Sequence, residues 1–435
     1  MQRLGWFWIV FLTISGAAVA KEPVRVVLPN GMAVIVQETY ASPTVSLNVF
    51  VRVGSLHETP DTTGLAHFYE HMFFRGTPTR SGLDFKKEIE SLGGITNAST
   101  SRDMTHYYIN MPSAYANEGL QLLADALLNA DLETAGIDKE REVVLEEYRI
   151  GENNPARIAS DKLFEMAFPN HPYGRSVIGD KSNLESFQRD KFAFWKSTYY
   201  VPSRTCVVVV GDVEAEQVIA EARRLFGNFR GTGEPVKSFP RPIPPAQPVY
   251  RTETAPVNRA FVLLGYLGPS VHDQPDVVEV DVLSFLVGQG KGSLLDQQVV
   301  DEEKAFSCDV SFLTQAEPGL IVVAAVADPK KTDETRQAVL ETINKVRQGE
   351  FTQADIDRAK NMLINSYRFG NESNSGKASS LGFYETLDKV DFATHYLANI
   401  QKVDKAALIK AANKYFIDNH YGLTLAPKGR KDGRS

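Results

Sequence analysis

The chain has 435 residues, 43% hydrophobic and 23% charged, with a formal net charge of −7 at neutral pH. That acidic balance argues against nucleic acid or an anionic bilayer as a partner, because both select basic surfaces. The length exceeds what a single hydrophobic core usually serves, so two domains are expected.

The first twenty residues read as a secretory signal peptide. Arg3 precedes an apolar run from Trp6 to Ile14, and Ala18-Val19-Ala20 supplies the small-residue cleavage pattern. The run is too short to span a bilayer, which takes about 20 apolar residues; a retained anchor is the alternative. No later stretch is apolar enough to cross a membrane. The mature chain is expected to start near Lys21 and to work in a bacterial periplasm or outside the cell.

Val24 to Gln37 predicts a hairpin turning at Asn30-Gly31, and Pro43 to Val53 alternates as a strand. The next stretch, Leu65 to Phe74, has no Gly or Pro and repeats its apolar residues at helical spacing. It reads Leu-Ala-His-Phe-Tyr-Glu-His-Met-Phe-Phe. His67 and His71 are four residues apart and therefore share a helix face, from which two imidazoles can reach one Zn²⁺ at about 2.0–2.1 Å each. Glu70 borders that face, placed to take a proton from a metal-activated water and too badly angled to be a third ligand. The pattern is HxxEH, the inverted form of HExxH. Phe73 and Phe74 are candidates to line a side-chain pocket or to be core.

A short helix near Phe85–Leu92 and two strands within Ile95–Met111 follow, joined through Ser101-Arg102-Asp103. Helices are predicted near Tyr115–Ala130 and Ile137–Gly151. In the latter, Glu140, Val144 and Glu147 stand at i, i+4 and i+7, so two carboxylates share one face. Such a face is either solvated or turned towards a metal. Asp190–Tyr200 reads as helix, Arg204–Val210 as a β-branched strand and Glu214–Phe226 as helix.

Residues 233–248 hold six prolines and read as an extended spacer. They separate an expected catalytic domain, 21–232, from a second domain, 249–435. The second part repeats the first in outline: a strand pair at Val249–Leu267 precedes a helix at Asp276–Val287, which stands where the His67 helix stood but has no histidine. The closing units, Lys196-Ser197-Thr198-Tyr199-Tyr200 and Lys414-Tyr415-Phe416, also match. Cys206 and Cys308 lie in different halves inside apolar runs and read as buried free thiols. The other histidines, His57, His106, His171, His272, His395 and His420, read as structural or solvent-facing.

His67-Phe68-Tyr69-Glu70-His71, followed by Glu140-Arg141-Glu142-Val143-Val144-Leu145-Glu146-Glu147, resembles the pitrilysin family of zinc peptidases, the inverzincins. Gly54-Ser55-Leu56-His57-Glu58, Thr96-Asn97-Ala98-Ser99-Thr100, His171-Pro172-Tyr173-Gly174-Arg175 and Val207-Val208-Val209-Val210-Gly211-Asp212 follow the family's order. The resemblance implies an α+β fold of two homologous domains, each a mainly antiparallel sheet with helices packed on one face. It implies one Zn²⁺ on His67, His71 and Glu147, Glu70 as general base, and Glu140 orienting a ligand histidine. It also implies that substrate joins the strand edge around Asn97 and Ala98 as an extra strand. Active relatives take an Arg and a Tyr from the partner half, and Ser307–Pro318 here has neither. A homologous zinc-less subunit, or a second copy closing a clamshell, is therefore the expected partner. The function implied is a zinc-dependent endopeptidase acting on short or unfolded polypeptides. The alternatives are a non-catalytic peptide-binding or assembly subunit and a dedicated processing peptidase.

Overall fold

The β-branched, alternating runs of the sequence become strands of two sheets. The computed structural model describes residues 21–234 and 239–428, so the expected signal peptide lies outside the described residues. The first sheet contains β1 (Val24–Val27), β2 (Ala33–Glu38), β3 (Thr44–Val51), β6 (Ile95–Thr100), β7 (Thr105–Pro112) and β8 (Thr205–Gly211). Its spatial order is β1-β2-β8-β3-β7-β6. A small ribbon, β4 (Gly76–Thr77) with β5 (Arg80–Ser81), stands apart.

The second sheet contains β9 (Val249–Ala255), β10 (Ala260–Leu267), β11 (Ser307–Phe312), β12 (Leu320–Ala327) and β13 (Tyr421–Pro427), in the order β11-β12-β10-β13-β9. In each sheet the first main strand runs parallel to the last, β2 with β8 and β9 with β13. All remaining pairs are antiparallel. Five strands thus repeat with one topology, and β1 is the single addition. The α+β class and the internal duplication are both present. By this correspondence β6 and β11 are equivalent edge strands.

Strand β8 shows how the two halves are joined. All its residues are buried, which requires cover on both faces. Val207 and Val209 pack into the first half's own helical layer. Cys206, Val208 and Val210 face the opposite way, into a core continuous with the second half. That face is covered by the helix Asn374–Leu387, which lies across β3 and β8. Gly382 makes the fit possible, because a Cβ there would come 2.0 Å from the Phe50 ring. The exchange is reciprocal. Helix Pro155–Ala167 of the first half places Leu163 and Phe164 against Leu263 and Leu423 of the second sheet. Each sheet therefore has its own half's helices on one face and a helix from the other half on the opposite face.

Residues 231–234 and 239–248 form no helix or strand. Cys206 and Cys308 are both buried and free.

Candidate metal centre

The helix Leu65–Met72 begins at Gly64, whose φ of +93° is a conformation that favours glycine. A Cβ at Gly64 would meet the Ile178 carbonyl oxygen at 2.6 Å, so the chain crosses there at a distance that excludes side chains. Glycine offers no side-chain cap, and Glu58 supplies one from outside the helix. Its carboxylate accepts the backbone N–H of Gly64 at 3.0 Å and of Ala66 at 2.8 Å. Two orphan donors are thereby satisfied at the positive end of the helix dipole. Burial pushes the Glu58 carboxyl up to about 8, with the two N–H donors and Arg175 acting the other way.

The helix buries Leu65, Ala66, Phe68, Tyr69 and Met72. His67, Glu70 and His71 remain on its partly open side. The helix ends at Met72, two residues before the sequence-based limit. Phe73 is fully buried and stacks on Tyr107 at 3.6 Å between ring centroids, while Phe74 borders the neighbouring cleft. Of the two aromatic candidates, one is core and one is pocket wall.

Glu147 comes from the helix Thr134–Gly151, which packs against the histidine helix. Its Oε2 lies 3.5 Å from His67 Nε2 and 3.6 Å from His71 Nε2. The three ligand atoms lie within 4.8 Å of one another, the one such group of His, Cys, Asp or Glu among the described residues. Tetrahedral bonds of about 2.0–2.1 Å place ligand atoms about 3.3–3.4 Å apart, so these spacings suit a small tetrahedral cation. Burial, together with His71 and Arg157, pushes the His67 imidazole down to about 3. His67 is thus a neutral ring with a lone pair to offer, and its buried Nδ1 has no hydrogen-bond partner among the described residues. The donor set fits zinc.

Glu140 sits behind His71. Its carboxylate is 1% exposed and accepts from His71 Nδ1 at 2.8 Å. That bond turns His71 Nε2 towards Glu147. The second oxygen of Glu140 pairs with Arg75. Burial works to raise the Glu140 pKa, but the hydrogen bonds from His71 and Arg75 outweigh it and hold the carboxylate below its usual range. Arg75 did not figure among the sequence candidates. It lies beyond the helix end at Met72, so no helical spacing signals its contact with Glu140. Glu70 is pushed above its ordinary pKa by burial, and the hydroxyl of Thr100 hydrogen-bonds it.

A cleft of about 580 Å³ opens beside Glu70 and His71. Phe74, Phe85 and Ile89 supply apolar wall, and Asn97 and Ala98 of β6 form one side. Among the described residues β6 pairs only with β7, which leaves its outer edge without a partner strand there. The Ala98 N–H is bonded to Asn97 Oδ1 at 2.9 Å.

The remaining histidines stand outside the cluster. His106 stacks on Phe50, the His171 ring accepts the Tyr173 N–H, and His420 meets the Tyr250 hydroxyl. His57 is buried between Tyr199 and Arg204, whereas His272 and His395 are exposed. The β11–β12 loop, which lacks Arg and Tyr, is tied to the first half: the Glu317 N–H donates to Tyr173 Oη at 3.0 Å, and the Tyr173 hydroxyl donates to Asp103 at 2.6 Å.

A duplicated α+β unit carrying a His–His–Glu centre in one copy is the architecture of a pitrilysin-type peptidase. Residues 33–181 match the family model described as insulinase (peptidase family M16), and residues 186–363 match the model described as peptidase M16 inactive domain. The chain belongs to peptidase family M16. It is 30% identical over 404 residues to zinc protease PqqE of Helicobacter pylori, covering 90% of this chain and 90% of that one. It is also 30% identical over 411 residues to a probable mitochondrial-processing peptidase subunit beta of Arabidopsis thaliana, covering 91% of this chain and 77% of that one. A crystal structure of a protease from Helicobacter pylori matches with a TM-score of 0.86 at 28% identity, over 93% of this chain and 100% of the other.

Proposed function

We propose that the chain is a zinc-dependent endopeptidase hydrolysing peptide bonds of short or unfolded polypeptides. The observation that carries this reading is the convergence of His67, His71 and Glu147 on one point, with His71 and Glu70 also lining a cleft beside the outer edge of β6.

His67, His71 and Glu147 would hold the ion. Zinc, when bound, supplies Lewis acidity: it lowers the pKa of water and polarises a carbonyl. Glu70 takes the proton of the attacking water and passes it to the departing amine. Its raised pKa suits that exchange. Glu140 fixes the tautomer and direction of His71 through the bond to Nδ1. The substrate main chain pairs with the outer edge of β6, displacing the Asn97 side chain from the Ala98 N–H, and one side chain enters the cleft. Main-chain pairing makes little demand on substrate sequence. Hydrolysis is direct, without a covalent acyl intermediate.

The reading extends to place and partner. The N-terminal pattern argues for a periplasmic or secreted enzyme. The missing Arg and Tyr of the β11–β12 loop argue for a homologous zinc-less subunit, or a second copy, closing over the cleft. Full activity of the purified chain as a monomer would remove the partner from the proposal.

The test is metal analysis with a quenched-fluorescent peptide pool on wild type and Glu70→Gln. Zinc in both proteins, with cleavage only in wild type and abolished by chelator, is expected. Equal cleavage by Glu70→Gln would refute the general-base assignment. Zinc without cleavage, even beside a candidate partner, would favour a peptide-binding subunit.

A further inference from the structure

We infer that Thr100 is a positioning residue for the general base: its hydroxyl holds Glu70 so that one carboxylate oxygen is anchored and the other is free for proton exchange. This rests on the peptidase reading above. Thr100 Oγ1 donates to Glu70 Oε2 at 2.5 Å, the one hydrogen bond that any side chain makes to this carboxylate among the described residues. A glutamate side chain has three torsions, and its ordering carries an entropy cost that grows with freedom left in the unbonded state. The anchor must therefore be stiffer than the group it holds.

Thr100 meets that condition. It is β-branched, which restricts its χ1. It closes β6, where it pairs with Thr105 of β7. Thr105 is itself fully buried, and its hydroxyl donates to the Val53 carbonyl at 2.8 Å. The base is thus referenced to the body of the sheet through Thr100, rather than only to its own helix. Because Thr100 has a single hydroxyl proton and gives it to Oε2, Oε1 is the oxygen left to accept from water. The same strand carries Asn97 and Ala98 at the substrate edge, three and two residues earlier. One element therefore receives the peptide and aims the base, so the distance between them is set within a single strand.

The variants Thr100→Val and Thr100→Ser test this. Valine keeps the branched shape and removes the donor; serine keeps the donor. A hydrogen bond to a charged group is worth about a 10- to 100-fold effect, so Thr100→Val should lower kcat by about that factor with KM moved less than about threefold. Thr100→Ser should stay within about fivefold of wild type. Zinc content should match wild type in both. In a Glu70→Gln background, adding Thr100→Val should leave the affinity for a labelled, uncleaved peptide unchanged by fluorescence anisotropy. Thr100→Val with a kcat within twofold of wild type overturns the assignment, as does Thr100→Ser as slow as Thr100→Val. So does a loss appearing in KM or peptide affinity rather than kcat. These results, in a protein whose cleavage is lost in Glu70→Gln, sink Thr100 alone. A zinc-loaded wild type that cleaves no peptide sinks the peptidase reading and this inference with it.

Discussion

Removing the charge of Glu140 should weaken zinc binding without touching a ligand. The carboxylate is 1% exposed, accepts from His71 Nδ1 at 2.8 Å and neutralises Arg75. In Glu140→Gln the amide oxygen can still accept from His71, but the bond is no longer charge-assisted. Hydrogen bonds to charged groups contribute about 1.5–3 kcal/mol against about 0.5–1.5 for neutral ones, so roughly 1–1.5 kcal/mol is lost. Since about 1.4 kcal/mol is tenfold, zinc affinity should fall about tenfold. Arg75, left without its counter-charge near the cation, adds to the loss. In Glu140→Ala no acceptor remains, and the fall should approach the hundredfold limit seen when such supporting partners are removed, about 10- to 100-fold. The assay is competition with a fluorescent zinc chelator at fixed pH and ionic strength. Glu146→Gln, on the exposed side of the same helix, is the control and should leave affinity unchanged. If Glu140→Ala binds zinc within threefold of wild type, the orientation of His71 does not depend on Glu140 and the reasoning fails.

Three further outcomes are expected. Gly64→Ala should cost at least about 2 kcal/mol of stability, because φ is +93° and the new Cβ meets a carbonyl oxygen; Gly370→Ala, which meets nothing within 4 Å, should not destabilise. Calorimetric melting of the two variants checks the contrast. Chelation of the metal should lower the melting temperature by a few degrees and zinc should restore it, since a ligand bound only to the folded state stabilises it by about 2.7 kcal/mol at 100 times Kd; equal melting with and without chelator would speak against a bound ion. Asp103 is 5% exposed, and burial raises its pKa to about 6, opposed by the Tyr173 hydroxyl, the Ala316 N–H and Arg102. The folded state therefore holds a proton that the unfolded state releases near pH 4, so stability falls as pH rises from about 4 to 6 and levels off above. This group alone accounts for up to about 3 kcal/mol over that window. Urea unfolding of Asp103→Asn should show a correspondingly flatter pH profile, and an unchanged profile would refute the assignment.

Much of the site was legible locally. The four-residue spacing of His67 and His71 sets both rings on one helix face whatever the surrounding fold. The Glu140 and Glu147 pair could be placed on a common face by the same periodicity, but spacing alone left a solvated acidic face open. The family resemblance picked Glu147 from it. Glu58 was visible only as part of a phrase, because its capping of the Gly64 turn requires the chain to fold back through Thr59–Thr63. Thr100 was read for its strand edge and not for Glu70, since nothing in either segment announces that a strand end meets a helix flank. Helix Asn374–Leu387 carries Gly382 at the point where it crosses Phe50, a close approach that no local pattern reveals.

By itself the sequence determined the helices and strands that bear the histidines and the doubled layout, because periods of 3.6 and 2 act over a few residues. The family resemblance named Glu147, but only the tertiary structure decided how its carboxylate stands to the two imidazoles, which hydroxyl bonds Glu70 and which half's helix covers each sheet. Those contacts join segments far apart in the chain, and their geometry is set by packed cores shared between the halves rather than by any residue's near neighbours.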